Sequence, residues 1–234
     1  MNKRGELILQ HLGAVRVERA ARAADPALAA GVTHLKHYQQ ARFALTYADL
    51  LAAPRYAGAA RFFLDDLYGP GDFSQRDAQF ARIVPAMVKL FPGEVVVTVE
   101  ALTALHALSE QLDSEMAGHI DNQPVTATGY IAAWRRTGQP ASRQRQIDLM
   151  LAVGRALDVY TRRPLLRHSL RAMRVPARAA GLSALQLFLE SGFDTFRAMH
   201  GADEFLQQIA QREQAMAARL FNGDQDETLL GQLP

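Results

Sequence analysis

Apolar residues recur every three to four positions through nearly the whole chain, and prolines and glycines interrupt the pattern at intervals. That spacing lays an apolar stripe along one face of an α-helix, whereas a half-buried strand needs strict alternation. A first helix is predicted from about Lys3 to Ala24, closed by Asp25-Pro26. Thr33 reads as the N-cap of a second helix through Leu51, with Leu35, Tyr38, Phe43, Ala44 and Tyr47 among its inward side chains. Pro54 suits the first turn of the next helix, which carries Phe62, Phe63, Leu64 and Leu67. Tyr68-Gly-Pro-Gly-Asp72 forces a turn. Ser74 then reads as an N-cap with Asp77 completing a capping box, in a helix kinked by Pro85 and closed at Phe91-Pro92-Gly93.

Val95 to Val99 is the one β-branched run, but it flows without a break into a helical pattern, so helix is predicted through about Gly118. A lone strand would also lack a pairing partner. A loop over residues 121–124 precedes a short helix with Tyr130, Ile131 and Trp134, and Thr137 to Ser142 forms a linker. Further helices are expected over about 143–161, 164–175, 184–199 and 203–221. The chain is thus expected to be all-α, a multi-helix bundle of about eight to ten helices with no significant sheet. Residues 1–30 are read as a peripheral N-terminal helix, 31–221 as one helical domain, and 222–234 as a flexible acidic tail.

Arg61-Phe-Phe-Leu-Asp-Asp-Leu-Tyr-Gly-Pro-Gly-Asp-Phe-Ser-Gln-Arg-Asp77 resembles a group of uncharacterised bacterial helical proteins. Their signature is Phe-Phe-Leu-x-x-Leu-Tyr-Gly-Pro-x-Asp-Phe. Leu187-Phe-Leu-Glu-Ser-Gly-Phe-Asp-Thr-Phe196 is similar to their C-terminal part, and the resemblance runs from about residue 34 onward. It implies a helical protein and no activity.

Composition narrows the chemistry. Hydrophobic residues make up 49% of the chain, enough for a buried core. The absence of cysteine removes disulfides, thiolate nucleophiles and thiolate metal sites. No apolar run approaches the ~20 residues of a membrane helix, and a cytoplasmic location is the default expectation. No nucleophile elbow, Walker pattern or dinucleotide-binding glycine motif is present. Whether the protein is an enzyme stays open, and no cofactor is expected.

Three groups of residues are candidates for a site. Asp65, Tyr68, Asp72 and Arg76 surround the glycine-rich turn, where a carboxylate and a phenol could meet at a pocket rim; the structural alternative makes them caps and local ion pairs. His106, Glu110 and Asp113 share one helix face at metal-ligand spacing, or a solvated stripe, since Leu105, Leu108 and Leu112 face elsewhere. No metal is the expectation there, and a haem with His106 as axial ligand is a further alternative.

Charge supplies the third group. Residues 61–121 hold ten acids against four basic residues, whereas 132–178 hold eleven arginines against Asp148 and Asp158. Arg167, Arg171 and Arg174 recur within that block at helical spacing. The preferred reading is a non-enzymatic binding or regulatory protein whose basic block meets an acidic protein or other polyanion. The basic block pairing with the acidic one inside the fold is the competing reading, and self-association is open. The alternative function is a small-ligand or metal-dependent one built on the Tyr68–Asp77 loop.

Overall fold

The computed structural model describes residues 2–67, 69–120, 124–222 and 227–234, and for residues 164, 227 and 228 the backbone alone. Among the described residues it is 84% helical with no strand, the all-α bundle the periodicity predicts. In chain order the elements are α1 (Lys3–Ala24), α2 (Pro26–Thr46), α3 (Ala48–Ala52) and α4 (Ala57–Phe62), which continues into a π-helical turn (Phe63–Leu67). Then come α5 (Ser74–Leu90), α6 (Gly93–Ala117), α7 (Ala127–Thr137), α8 (Pro140–Thr161) and α9 (Pro164–Ala172). The last are α10 (Arg174–Ala179), α11 (Ser183–Ala198), α12 (Asp203–Asn222) and α13 (Glu227–Leu230).

Local chemistry explains most boundaries, but several differ from expectation: the second helix breaks after Thr46, α4 begins at Ala57 and not around Pro54, α8 begins at Pro140 inside the expected linker, and the helix expected over 164–175 divides after Ala172. Helix α2 begins at Pro26 and not at Thr33, because Asp25 caps it: its carboxylate accepts from the N–H groups of Ala27 (3.0 Å) and Leu28 (3.1 Å). Asp25-Pro26 thus starts one helix immediately after ending another. Thr33 lies inside α2, its hydroxyl donating to Ala29 O at 2.9 Å. At α5, Ser74 makes no capping box. Asp72 accepts from Ser74 N (2.8 Å) and from Ser74 Oγ (2.9 Å), and Asp77 turns into the interior.

Helix α6 is the central element, flanked by α1, α2, α7 and α8. Three apolar clusters surround it. One joins Leu50, Leu105, Met150, Phe196 and Phe205; a second joins Leu35, Met116, Tyr130, Ile131 and Leu220; a third joins Ile8, Phe80, Val84 and Leu185. Helix α1 is a wall of the bundle, not a peripheral addition, with Ile8, Leu12 and Val15 buried. At the other end Leu229 and Leu233 are buried in the second cluster, so residues 227–234 dock where a flexible tail is expected.

The glycine-rich segment is anchored from beneath, as the pattern of Phe62, Phe63, Leu64 and Leu67 predicts. The Phe62 ring stacks on Phe188 at 5.5 Å and lies over Gly192, where a Cβ would approach Phe62 Cζ to 2.9 Å. Phe63 meets Phe196 and Phe205 at 6.1 and 5.8 Å. In a π-turn the ladder is widened, and side chains from neighbouring helices reach its backbone. Gln40 of α2 reaches Leu64 O (3.5 Å) and donates to Asp65 Oδ1 (3.1 Å), while Arg76 donates to Asp66 O at 2.8 Å. Gly69 is required here, because a Cβ would sit 2.4 Å from Asp65 O.

Candidate functional site

The face of α6 carrying His106, Glu110 and Asp113 is buried, not solvated: Glu110 is 3% exposed and Asp113 7%. A charged face can be buried only if counter-charges arrive from elsewhere, and α1, α2 and α5 supply them. Arg22 and Lys36 (2.8 Å) both donate to the Glu110 carboxylate. Arg22 also donates to Ser114 Oγ at 2.9 Å and to Glu110 O at 2.5 Å. Burial pushes the Glu110 pKa up, but the Lys36 and Arg22 charges outweigh it and hold the group at about 2.

Asp77 of α5 is the second anchor of this seam. Its Oδ2 lies 2.8 Å from His106 Nε2 and 2.8 Å from Arg19 Nη2, and its Oδ1 lies 3.4 Å from Arg76 Nε. Burial raises its pKa, while the His106 hydrogen bond and the charges of His106, Arg76 and Arg19 more than reverse this. An ionised carboxylate only accepts, so the His106 imidazole carries a proton on Nε2. Among the described residues no three histidine, aspartate or glutamate side chains are placed to hold a metal ion. Glu110 and Asp113 face cations instead, and His106 Nε2 faces the Asp77 carboxylate. His106 Nε2, one of the two ring nitrogens that a haem could take, is engaged by Asp77.

Across α6 from α1 the accounts do not balance. A cavity of about 60 Å³ lies between α2, α6, α7, α8 and α12. Leu67, Gly69 and Phe73 of the signature turn form part of its wall. Arg42 there is fully committed through its two terminal nitrogens, donating to Glu213 at 2.8 and 3.0 Å, and Tyr47 adds a hydroxyl at 2.6 Å. Arg143 is not so served. Arg143 is 4% exposed, its guanidinium stacks 4.1 Å over Trp134, and among the described residues it hydrogen-bonds only to Gln146 Oε1 (3.2 Å) and the Met116 sulfur (3.6 Å).

Three more polar groups that line this cavity are buried with no hydrogen-bond partner: Arg42 Nε, Tyr130 OH and Trp134 Nε1. Burial drives the Tyr130 pKa up against the opposing charges of Arg42 and Arg143, so the phenol keeps its proton. Burial lowers the Arg143 pKa, the signature of a cation without enough compensation. Asp113 faces the same space, held by Gln39 (3.2 Å) and more distantly by Lys36 (3.9 Å). Burial raises its pKa, and Lys36 only partly opposes this.

The residues singled out from sequence are distributed differently. Asp65 and Asp72 are exposed and tie the turn to Gln40 and Ser74. Arg76 is a clamp, its guanidinium between the Phe73 and Phe188 rings at 4.2 and 4.5 Å. Tyr68 lies outside the described residues. Arg167 pairs with Asp194 (3.1 Å) and Arg174 with Glu190 (2.6 Å), while Arg171 is exposed near Glu190, whose pKa it helps to lower. These partners belong to α11, not to the acidic block of residues 61–121. A bridge across to that block is made by Arg163 and Glu94 at 3.1 Å.

Sequence reasoning missed Arg143, Arg42 and Lys36 as site residues. The available signal was weak: Tyr130 and Trp134 stand four apart on one helix face, each with a polar tip that burial would strand. A family model described as "Domain of unknown function (DUF8198)" matches residues 18–227. No curated protein and no solved structure matches the chain.

Proposed function

The chain belongs to the DUF8198 family, and we propose that it is a binding protein for a small molecule held in the cavity walled in part by Leu67, Gly69 and Phe73. The observation that carries this reading is the convergence of unpartnered buried donors on one space. Leaving a buried donor unsatisfied costs about 1–3 kcal/mol, so three beside an unpaired guanidinium are a standing cost that a ligand removes. Cavities between helices of a bundle are common ligand sites, and π-turns are frequent beside functional ones.

The test is a thermal-shift screen of the protein against small-molecule fractions from its natural host, followed by native mass spectrometry of any stabilised sample. A ligand at a hundredfold over its Kd stabilises the fold by about 2.7 kcal/mol, an easily seen rise in melting temperature. Ala217 lines the cavity, and Ala217→Leu should abolish the shift by filling it. A shift that survives this substitution places the ligand elsewhere, and the absence of any shift or bound mass rejects the reading.

A second reading has its own observation. Beside Arg167, Arg171 and Arg174 stand Leu165, Met173, Val175 and Leu187, all half or more exposed. Arginines interspersed with exposed apolar side chains form a surface suited to an acidic macromolecule.

A further inference from the structure

We propose that the molecule taken up is a small monocarboxylate with an apolar tail, its carboxylate seated on Arg143, Tyr130 and Trp134. This rests on the reading that the cavity holds a ligand, and it adds what kind.

Donor and acceptor identity sets the polarity of the ligand. An indole N–H and a guanidinium N–H only donate, and the Tyr130 phenol is free to donate. The unpartnered groups therefore ask for an acceptor. Gln146 does not meet them: its Oε1 accepts from Arg143, its Nε2 donates to Ser109 Oγ at 2.8 Å, and the Tyr130 hydroxyl and Trp134 Nε1 stay without a partner.

Charge sets the valence. Around the seam and the cavity stand six cations: Arg19, Arg22, Lys36, Arg42, Arg76 and Arg143. Against them stand Asp77, Glu110, Asp113, Glu213, Glu115 and, near Arg76, Asp66. Asp113 and Glu115 act on Arg143 from beyond ion-pairing distance, and among the described residues it is the one of the six cations with no carboxylate in contact. A single negative charge neutralises it. A planar carboxylate also matches the guanidinium fork, and a dianion would carry a larger desolvation cost into the same space.

The remaining wall sets the body of the ligand. Phe43, Trp134, Ile147, Met150 and Met216 line the cavity beside the donors, so the part of the ligand beyond its carboxylate meets apolar atoms. A volume near 60 Å³ limits it to a few carbon atoms beyond the head group.

Trp134 is the one tryptophan of the chain, so its indole N–H is a single resonance in a nitrogen-15 correlation spectrum. Labelled protein is titrated at neutral pH with acetate, propionate, butyrate and valerate, and in parallel with butyramide, butylamine and inorganic phosphate. The carboxylates should move the indole resonance downfield in a saturable manner, tightening about fourfold per buried methylene. Arg143→Met should weaken butyrate roughly 30-fold or more, because a buried charge partner is lost. Tyr130→Phe, which deletes one oxygen and keeps the packing, should weaken it about fivefold.

Butyramide, butylamine or phosphate binding as well as butyrate would overturn the carboxylate assignment while leaving a ligand cavity in place. So would butyrate binding unchanged in both variants. No response to any carboxylate also overturns it. The cavity reading is then decided separately by the host-extract screen, which does not presuppose a ligand class.

Discussion

The two sides of α6 solve the same problem in opposite ways. Toward α1 and α5, Glu110 and Asp77 are each met by more than one cation, and every strong charge has a partner within 3.4 Å. Toward α7 and α8, Arg143 is just as deeply buried and has an amide and a thioether for company. The protein can evidently satisfy buried charge, since it does so one helix face away. The deficit around Arg143 is therefore local and specific, which is the pattern expected where stability is set against function.

The sharpest way to break this comparison is to unbalance the balanced side. Glu110→Gln strands Arg22 and Lys36 in the interior, and the expected loss is about 3–5 kcal/mol by urea denaturation. The same group has a pH signature. Its pKa is depressed to about 2 from 4.5, so its contribution is complete above about pH 4.5 and lost as pH falls toward 2. That shift corresponds to about 3 kcal/mol, and the Gln variant should lack this part of the acid limb. A variant with the wild-type midpoint and the wild-type acid limb would mean that the seam contributes nothing.

A smaller effect is expected at the turn that closes the open side. In Gly69→Ala the new methyl meets Asp65 O at 2.4 Å, so the π-turn or the turn after it must move. The expected cost is about 1–3 kcal/mol in a thermal melt, with weaker binding in the cavity that Gly69 lines. An unchanged melt together with unchanged ligand shifts would remove the turn from the account of the site.

The smallest effect belongs to the outer arginines. Replacing Arg167, Arg171 and Arg174 together with Gln removes exposed pairs to α11, which contribute little in water, so the denaturation midpoint should stay within error of wild type. If the second reading holds, the same variant loses retention on an immobilised polyanion, and wild-type retention weakens with salt. Retention unaffected by the substitutions would remove that surface from consideration.

Helix positions were legible because the 3.6-residue period and its punctuation are local properties. The misplacement at Thr33 came from the double role of Asp25-Pro26, which ends α1 and caps α2 within one residue. His106, Glu110 and Asp113 were misread for a different reason. A helical wheel shows which residues share a face, not what that face meets, and α6 has neighbours on its polar side as well as its apolar one. Arg22 and Glu110 are 88 residues apart, so nothing near either announces the other. The orphaned tips of Tyr130 and Trp134 are harder still to anticipate, because lacking a partner is a property of the assembled core alone.

That 88-residue separation bears on how the chain is made. Helix α1 leaves the ribosome before α5 and α6, so the carboxylates that neutralise Arg19 and Arg22 follow it much later. At a synthesis rate of about 5–20 residues per second the wait is on the order of 5–20 s. During that interval α1 carries a face of Ile8, Leu12 and Val15 with nothing to cover it. The nascent segment should therefore be a client of chaperones that hold short apolar helices near the exit tunnel, and its docking onto α6 should come late in assembly.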